Sequence, residues 1–198
     1  AQGIGTNRRH GGYHGGDGQS RFPQSIGVDL GEGHGDQGDQ RDPQVFPSVF
    51  QGETNVARGV SLIEEEGDQI IFTMDTHETN YLETAEGKNL PVEHCIRETA
   101  GWKLIPPLRP LTAGTKIIQK PTFGSTQLSY LVAIGDYEEI ELIGLCTDIC
   151  VISNALLLKA TVPETPICVN ASCCAGVTPQ SHLNALEAMK MCQITIKE

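Results

Sequence analysis

The chain has 198 residues and a formal net charge of -11, long enough for one α/β domain with a sizeable core. The acidic balance argues against nucleic acid or an anionic membrane surface as partner. No apolar run approaches the roughly 18–20 residues of a membrane span, and the polar amino terminus lacks the apolar centre of a secretory signal.

Composition breaks near residue 60. Residues 1–60 carry 14 of the 22 glycines and read as an atypical, irregular segment, distinct from a domain spanning 61–198. A literal dinucleotide fingerprint, Gly33-His-Gly35-Asp-Gln-Gly38, lacks the strand before it and the helix after it that such a site needs. His10, His14 and His34 read as solvated side chains rather than metal ligands.

From residue 61 the texture is that of an ordered domain. Ser61 to Glu66 reads as a helix end closed by Gly67. Gln69 to Met74 and Lys116 to Gln119 read as strands, joined by a long connection over 75–114, and connections of that length are usually functional. Thr126 to Ile134 reads as a helix, and Ile140 to Leu145 as a short buried strand bounded by charge. Val151 to Ala160, with Leu156, Leu157 and Leu158 and no Gly or Pro, reads as a buried helix. Pro166 to Val169 is the next strand. Thr178-Pro179 opens a helix whose apolar face is Leu183, Leu186, Met189 and Cys192, and Gln193 to Ile196 is a last strand. This alternation predicts an α/β fold, a parallel sheet with helices on both faces. Five of the seven cysteines (Cys146, Cys150, Cys168, Cys173, Cys174) fall in or beside these strands, which suits reduced thiols in a cytoplasmic protein.

Sites in such sheets form beyond the carboxyl ends of the strands. Those ends carry Asp75-Thr-His77, then Lys120-Pro-Thr-Phe123-Gly-Ser125, then the turn before Cys150. A thiol where a strand passes into a helix meets unpaired amides and the positive end of the helix dipole, which favour a thiolate and can hold an oxyanion. Lys120 is a natural cationic partner for Cys150. Asp75 and His77 differ by two and point the same way from an extended end. With Glu86 and His94 they make a donor set suited to zinc, iron or manganese, or else a polar loop of solvated charges. Trp102 and Phe123 could wall a pocket for a flat substrate or be simple core.

The stretches Phe-Thr-Met-Asp75-Thr-His77, Leu-Pro-Val-Glu-His94-Cys, Lys120-Pro-Thr-Phe-Gly-Ser, Gly144-Leu-Cys-Thr-Asp-Ile-Cys150-Val and Asn170-Ala-Ser-Cys-Cys-Ala-Gly-Val-Thr-Pro carry a resemblance. In them, residues 61–198 resemble the nicotinamidase-like, or isochorismatase-like, cysteine hydrolase family. The resemblance implies a Rossmann-like three-layer sandwich and an Asp, Lys and Cys triad, with Cys150 the nucleophile and Lys120 the lysine. It implies an oxyanion hole from the amides of Cys146 and Cys150, with a cis peptide between Leu145 and Cys146. It also implies a divalent metal on Asp75, His77, Glu86 and His94, a pocket including Phe123, and a homo-oligomer. The expected reaction is hydrolysis of nicotinamide to nicotinate and ammonia. Alternatives are another small amide or ureido compound, or a non-catalytic binding member of the fold. The family's opening strand, which ends in the triad aspartate, has no counterpart in residues 1–60. Asp29 is the nearest candidate, and a shifted reading frame upstream would produce such a break.

Overall fold

The computed structural model describes residues 2–3, 28–29, 69–104 and 106–198, the first two pairs as backbone only. The expected helix end at Ser61 to Glu66, the fingerprint at 33–38 and the three early histidines lie outside the described residues.

Gln2–Gly3 (β1) and Val28–Asp29 (β2) pair antiparallel and lie against the two larger ladders. Ile71–Asp75 (β3) and Lys116–Lys120 (β4) form the first ladder, parallel, with Asp75 directly beside Lys120. Ile140–Leu145 (β5), Ile167–Ala175 (β6) and Thr195–Lys197 (β7) form the second, also parallel. The helices are Ala85–Asn89 (α1), Thr126–Ile134 (α2), Ile152–Thr161 (α3) and Pro179–Met191 (α4). The result is the expected α/β arrangement of parallel strands flanked by helices.

Helices α1, α2 and α4 start where a side chain can satisfy the first amides. The Ser125 hydroxyl accepts from the Leu128 amide at α2, and Thr178 and Ser181 cap α4 reciprocally with Pro179 in the first turn. The strands' period-two alternation splits the core in two. On one face Ile71, Ile118, Ile140, Leu142, Ile167 and Val169 meet Leu128, Val132, Ala155, Leu158, Leu186 and Met189 of α2, α3 and α4. On the other, Phe72, Met74, Ile143 and Leu145 meet Leu104 and Leu108 of the tight turns between residues 100 and 112. Burying one such Leu contributes about 1.5–3 kcal/mol.

Several boundaries differ from the sequence reading. β3 and β4 reach Asp75 and Lys120, so both charged residues belong to the ladder rather than to loops. β6 runs on past Val169 to Ala175, because Asn170 has a polar partner within the sheet, its amide donating to Glu141 at 3.1 Å. α3 begins at Ile152, after a wide turn over Thr147–Val151 in which the Val151 amide reaches back five residues to the Cys146 carbonyl.

Candidate active site and metal centre

The rim of the strands' carboxyl ends brings three reactive groups together. Asp75 and Lys120 end adjacent parallel strands in register, so their side chains leave the same face. The Lys120 ammonium donates to Asp75 Oδ1 and, at 2.9 Å, to the Thr122 carbonyl. It lies 3.6 Å from Cys150 Sγ, and that sulfur lies 4.0 Å from Asp75 Oδ2. Lys120 is 1 % exposed and Cys150 3 %, yet neither belongs to an apolar core cluster. Burial alone would raise the Asp75 carboxyl. Positive charge around it, the Lys120 ammonium included, outweighs burial and holds it well below the ordinary carboxylate range.

Cys150 sits inside the five-residue turn rather than in the first turn of α3. Turns of this kind widen the backbone locally and recur at functional sites. The peptide between Leu145 and Cys146, at the end of β5, is cis as expected. The Cys146 thiol is pushed up to about 12, chiefly by burial. Asp148 accepts from the Val177 amide with both oxygens, and the Thr147 hydroxyl meets His182 Nδ1 at 2.8 Å, which ties the turn to the start of α4.

The connection after β3 builds the second cluster. The His77 amide donates to the Cys95 carbonyl at 3.0 Å, and the Arg97 amide to the His77 carbonyl at 2.8 Å. This stitching folds the chain back and sets His94 beside His77, with ring centroids 4.8 Å apart. Tyr81, fully buried, packs against both rings and anchors its hydroxyl on the Leu90 carbonyl at 2.9 Å. Its phenol is pushed up to about 12, first by burial and then by Glu86. Thr84 caps α1 by accepting from Gly87, where a Cβ would lie 2.1 Å from the Tyr81 carbonyl oxygen. Only glycine allows that approach, and it places Glu86 over the two imidazoles.

Glu86 Oε1 lies 3.6 Å from His77 Nε2 and 3.5 Å from His94 Nε2. One donor atom from each of the three falls within 4.8 Å of the others, a spacing that can hold a metal ion. Two observations fit a cation there. His94 Nδ1 sits 2.9 Å from the Val92 carbonyl, which fixes its proton on that side and leaves the Nε2 lone pair facing Glu86. His77 Nε2 is buried and has no hydrogen-bond partner among the described residues. Burial also lowers the His77 pKa, favouring the neutral, ligating form, against an opposing pull from Glu86.

Asp75, grouped in the sequence reading with the metal donors, directs its oxygens to Lys120 and Cys150. Phe123 is 40 % exposed and so lies outside the core, whereas Trp102 is half-buried and donates to the Thr76 hydroxyl at 2.9 Å. Cys95 is buried next to His94. The side chain of Asp29 lies outside the described residues. Sequence reasoning missed Tyr81, Thr147, Asn154 and His182. The signal for Asn154 was present, an amide that interrupts, with Ser153, the otherwise apolar run Val151 to Leu158.

The geometry defines an α/β protein with a thiol, a cation and a carboxylate at its rim, beside a site able to take a metal. The sequence profile of the Isochorismatase domain matches residues 54–197, and the chain belongs to that family. Among similar solved structures is a nicotinamidase/pyrazinamidase from Bacillus subtilis, 23% identical with a TM-score of 0.71, covering 89% of this chain and 100% of that one. Another is the pyrazinamidase of Pyrococcus horikoshii in complex with zinc, 21% identical with a TM-score of 0.68, covering 88% and 98%. A third, the N-carbamoylsarcosine amidase from Thermoplasma acidophilum, is 19% identical with a TM-score of 0.66, covering 88% and 94%. At these identities the likeness establishes the shared fold. No protein with a curated description matches the sequence. Among the described residues no helix is long and apolar enough to cross a membrane.

Proposed function

We propose that this chain is a cysteine amidohydrolase that converts nicotinamide, or a closely related small aromatic amide, to the carboxylic acid and ammonia. The observation that carries this reading is the convergence of Cys150 Sγ with Lys120 Nζ at 3.6 Å and Asp75 Oδ2 at 4.0 Å. The names of the similar solved structures, nicotinamidase and pyrazinamidase among them, support the substrate class.

In this reading Asp75 accepts the Cys150 proton, and the Lys120 ammonium stabilises the thiolate left behind. The sulfur attacks the amide carbonyl carbon, and the carbonyl electron pair moves to oxygen. The amides of Cys146 and Cys150 hold that oxyanion. As the carbon–nitrogen bond breaks, Asp75 returns its proton to nitrogen and ammonia leaves, giving a thioester. Asp75 then takes a proton from water, whose oxygen displaces the sulfur. The acid departs, and the thiol is restored by the proton on Asp75. Lys120 keeps its proton throughout, and Phe123 forms one wall for the aromatic ring.

His77, Glu86 and His94 would hold a divalent zinc, iron or manganese ion, while Asp75, grouped with these donors in the sequence reading, serves Lys120 and Cys150. When bound, the ion supplies a Lewis-acid anchor for a ring nitrogen or for water. The seven cysteines, none of them in a disulfide, suit a reducing, cytoplasmic setting. The test is ammonia release from nicotinamide by the metal-loaded protein, which Cys150→Ala should abolish. Undiminished release by that variant would remove Cys150 as nucleophile.

A further inference from the structure

Asn154 lies on the first turn of α3 and is fully buried. Its side chain makes three hydrogen bonds to two separate segments. Asn154 Nδ2 donates to the Cys150 carbonyl at 3.0 Å, one helical turn back. Its Oδ1 accepts from the Ser125 amide at 2.9 Å, and its Nδ2 reaches the Phe123 carbonyl at 3.5 Å. Ser125 and Phe123 belong to the loop that leaves Lys120 at the end of β4. The backbone beside this contact is close: a Cβ on Gly124 would lie 3.5 Å from Ser153 Cβ and 2.5 Å from the end of Leu157.

One carboxamide thus binds the peptide of the nucleophile and the loop that follows its cationic partner. Those segments come from different ladders, since β4 pairs with β3 and β5 with β6. The Lys120 ammonium also reaches both segments, donating to the Thr122 carbonyl at 2.9 Å and to Cys150 Sγ at 3.6 Å, whereas Asn154 holds the two through their backbones. An apolar side chain of the same size would fill the space. It would leave the Ser125 amide and the Phe123 carbonyl to find other partners, and a buried group left without one costs about 1–3 kcal/mol.

We infer that Asn154 is a positioning residue, a clamp that sets the spacing between Cys150 and Lys120 and holds Phe123 at the pocket wall. The inference rests on the hydrolase reading for its chemistry, but not for its geometry. A shift of about 1 Å between reacting groups can slow a reaction by roughly 100-fold.

The test compares Asn154→Leu and Asn154→Thr with the parent, all metal-loaded. Thr keeps a hydroxyl that can bond the Cys150 carbonyl, as Ser153 does to Ile149 at 2.6 Å, but it cannot reach Ser125. Ammonia release from nicotinamide gives kcat and KM, iodoacetamide labelling of Cys150 gives thiol reactivity, and metal content is read separately. For Asn154→Leu, kcat should fall about 100-fold and labelling should change, while metal content stays at the parent value. For Asn154→Thr, kcat should fall about tenfold. If Leu does not fold, the Thr result decides. Parent-like kcat and labelling in the folded variants would overturn the clamp, and so would loss of metal in step with activity. If the parent releases no ammonia, the hydrolase reading fails by itself, and labelling still decides on the clamp.

Discussion

Replacing Lys120 by methionine removes the buried cation while keeping most of its bulk. Lys120 is 1 % exposed, and its ammonium is bonded to Asp75, whose side chain is 10 % exposed. Breaking a buried pair from one side leaves a charge in a poorly solvated place and costs about 3–5 kcal/mol. For a chain of this size each kcal/mol moves the melting point by about 2–4 °C, so Lys120→Met should lower it by about 6–20 °C. The pH dependence follows from the direction of the Asp75 shift. Its folded pKa is depressed, so its contribution is complete above the unfolded value of about 3.9 and fades as pH falls through the lower folded value. Without Lys120 less positive charge opposes burial, so the folded pKa rises and the acid-dependent contribution shrinks; the substitution should cost most at neutral pH and least near about pH 3. The assay is urea unfolding of the parent, Lys120→Met, Asp75→Asn and the double variant between about pH 3 and pH 8. The double variant should be more stable than Lys120→Met alone, because its neutral amide needs no counter-charge. A cost below about 1 kcal/mol for Lys120→Met, or simple additivity of the two substitutions, would refute the argument.

The other predictions concern metal and thiols. Glu86→Gln should cut zinc retention after dialysis by tenfold or more, read by elemental analysis, because Glu86 supplies the one carboxylate between His77 and His94. Retention equal to the parent would show that the carboxylate is not a ligand. Iodoacetamide at about pH 8 should label the exposed Cys192 quickly and leave Cys168 and Cys174 unlabelled, since burial pushes both of those thiols up. Cys168 is further raised by Glu141. Peptide mapping that found Cys168 or Cys174 labelled as fast as Cys192 would contradict this ordering.

Much of the fold was legible because apolar runs state their own burial. Ile140 to Leu145 is apolar but for Glu141, and all six residues are buried, as an interior strand requires. Thr178-Pro179 marks the start of α4 because capping is a local matter. The end of β6 was hidden, since Asn170 and Ser172 look like loop residues until Glu141 on the neighbouring strand is known. Spacing shows that Asp75 and His77 share a face, but not that Asp75 turns to Lys120, which depends on the register of β3 against β4. Likewise the wide turn that holds Cys150 depends on one long backbone bond from Val151 to Cys146, and no residue preference encodes it.

The two ladders have a consequence for how this protein would respond to stress. Asp75 and Lys120 ride on one, and Cys150 follows the end of β5 in the other. Parting the two ladders would therefore widen the gap at the sulfur without breaking a rung of either, so turnover would gauge how well they are seated.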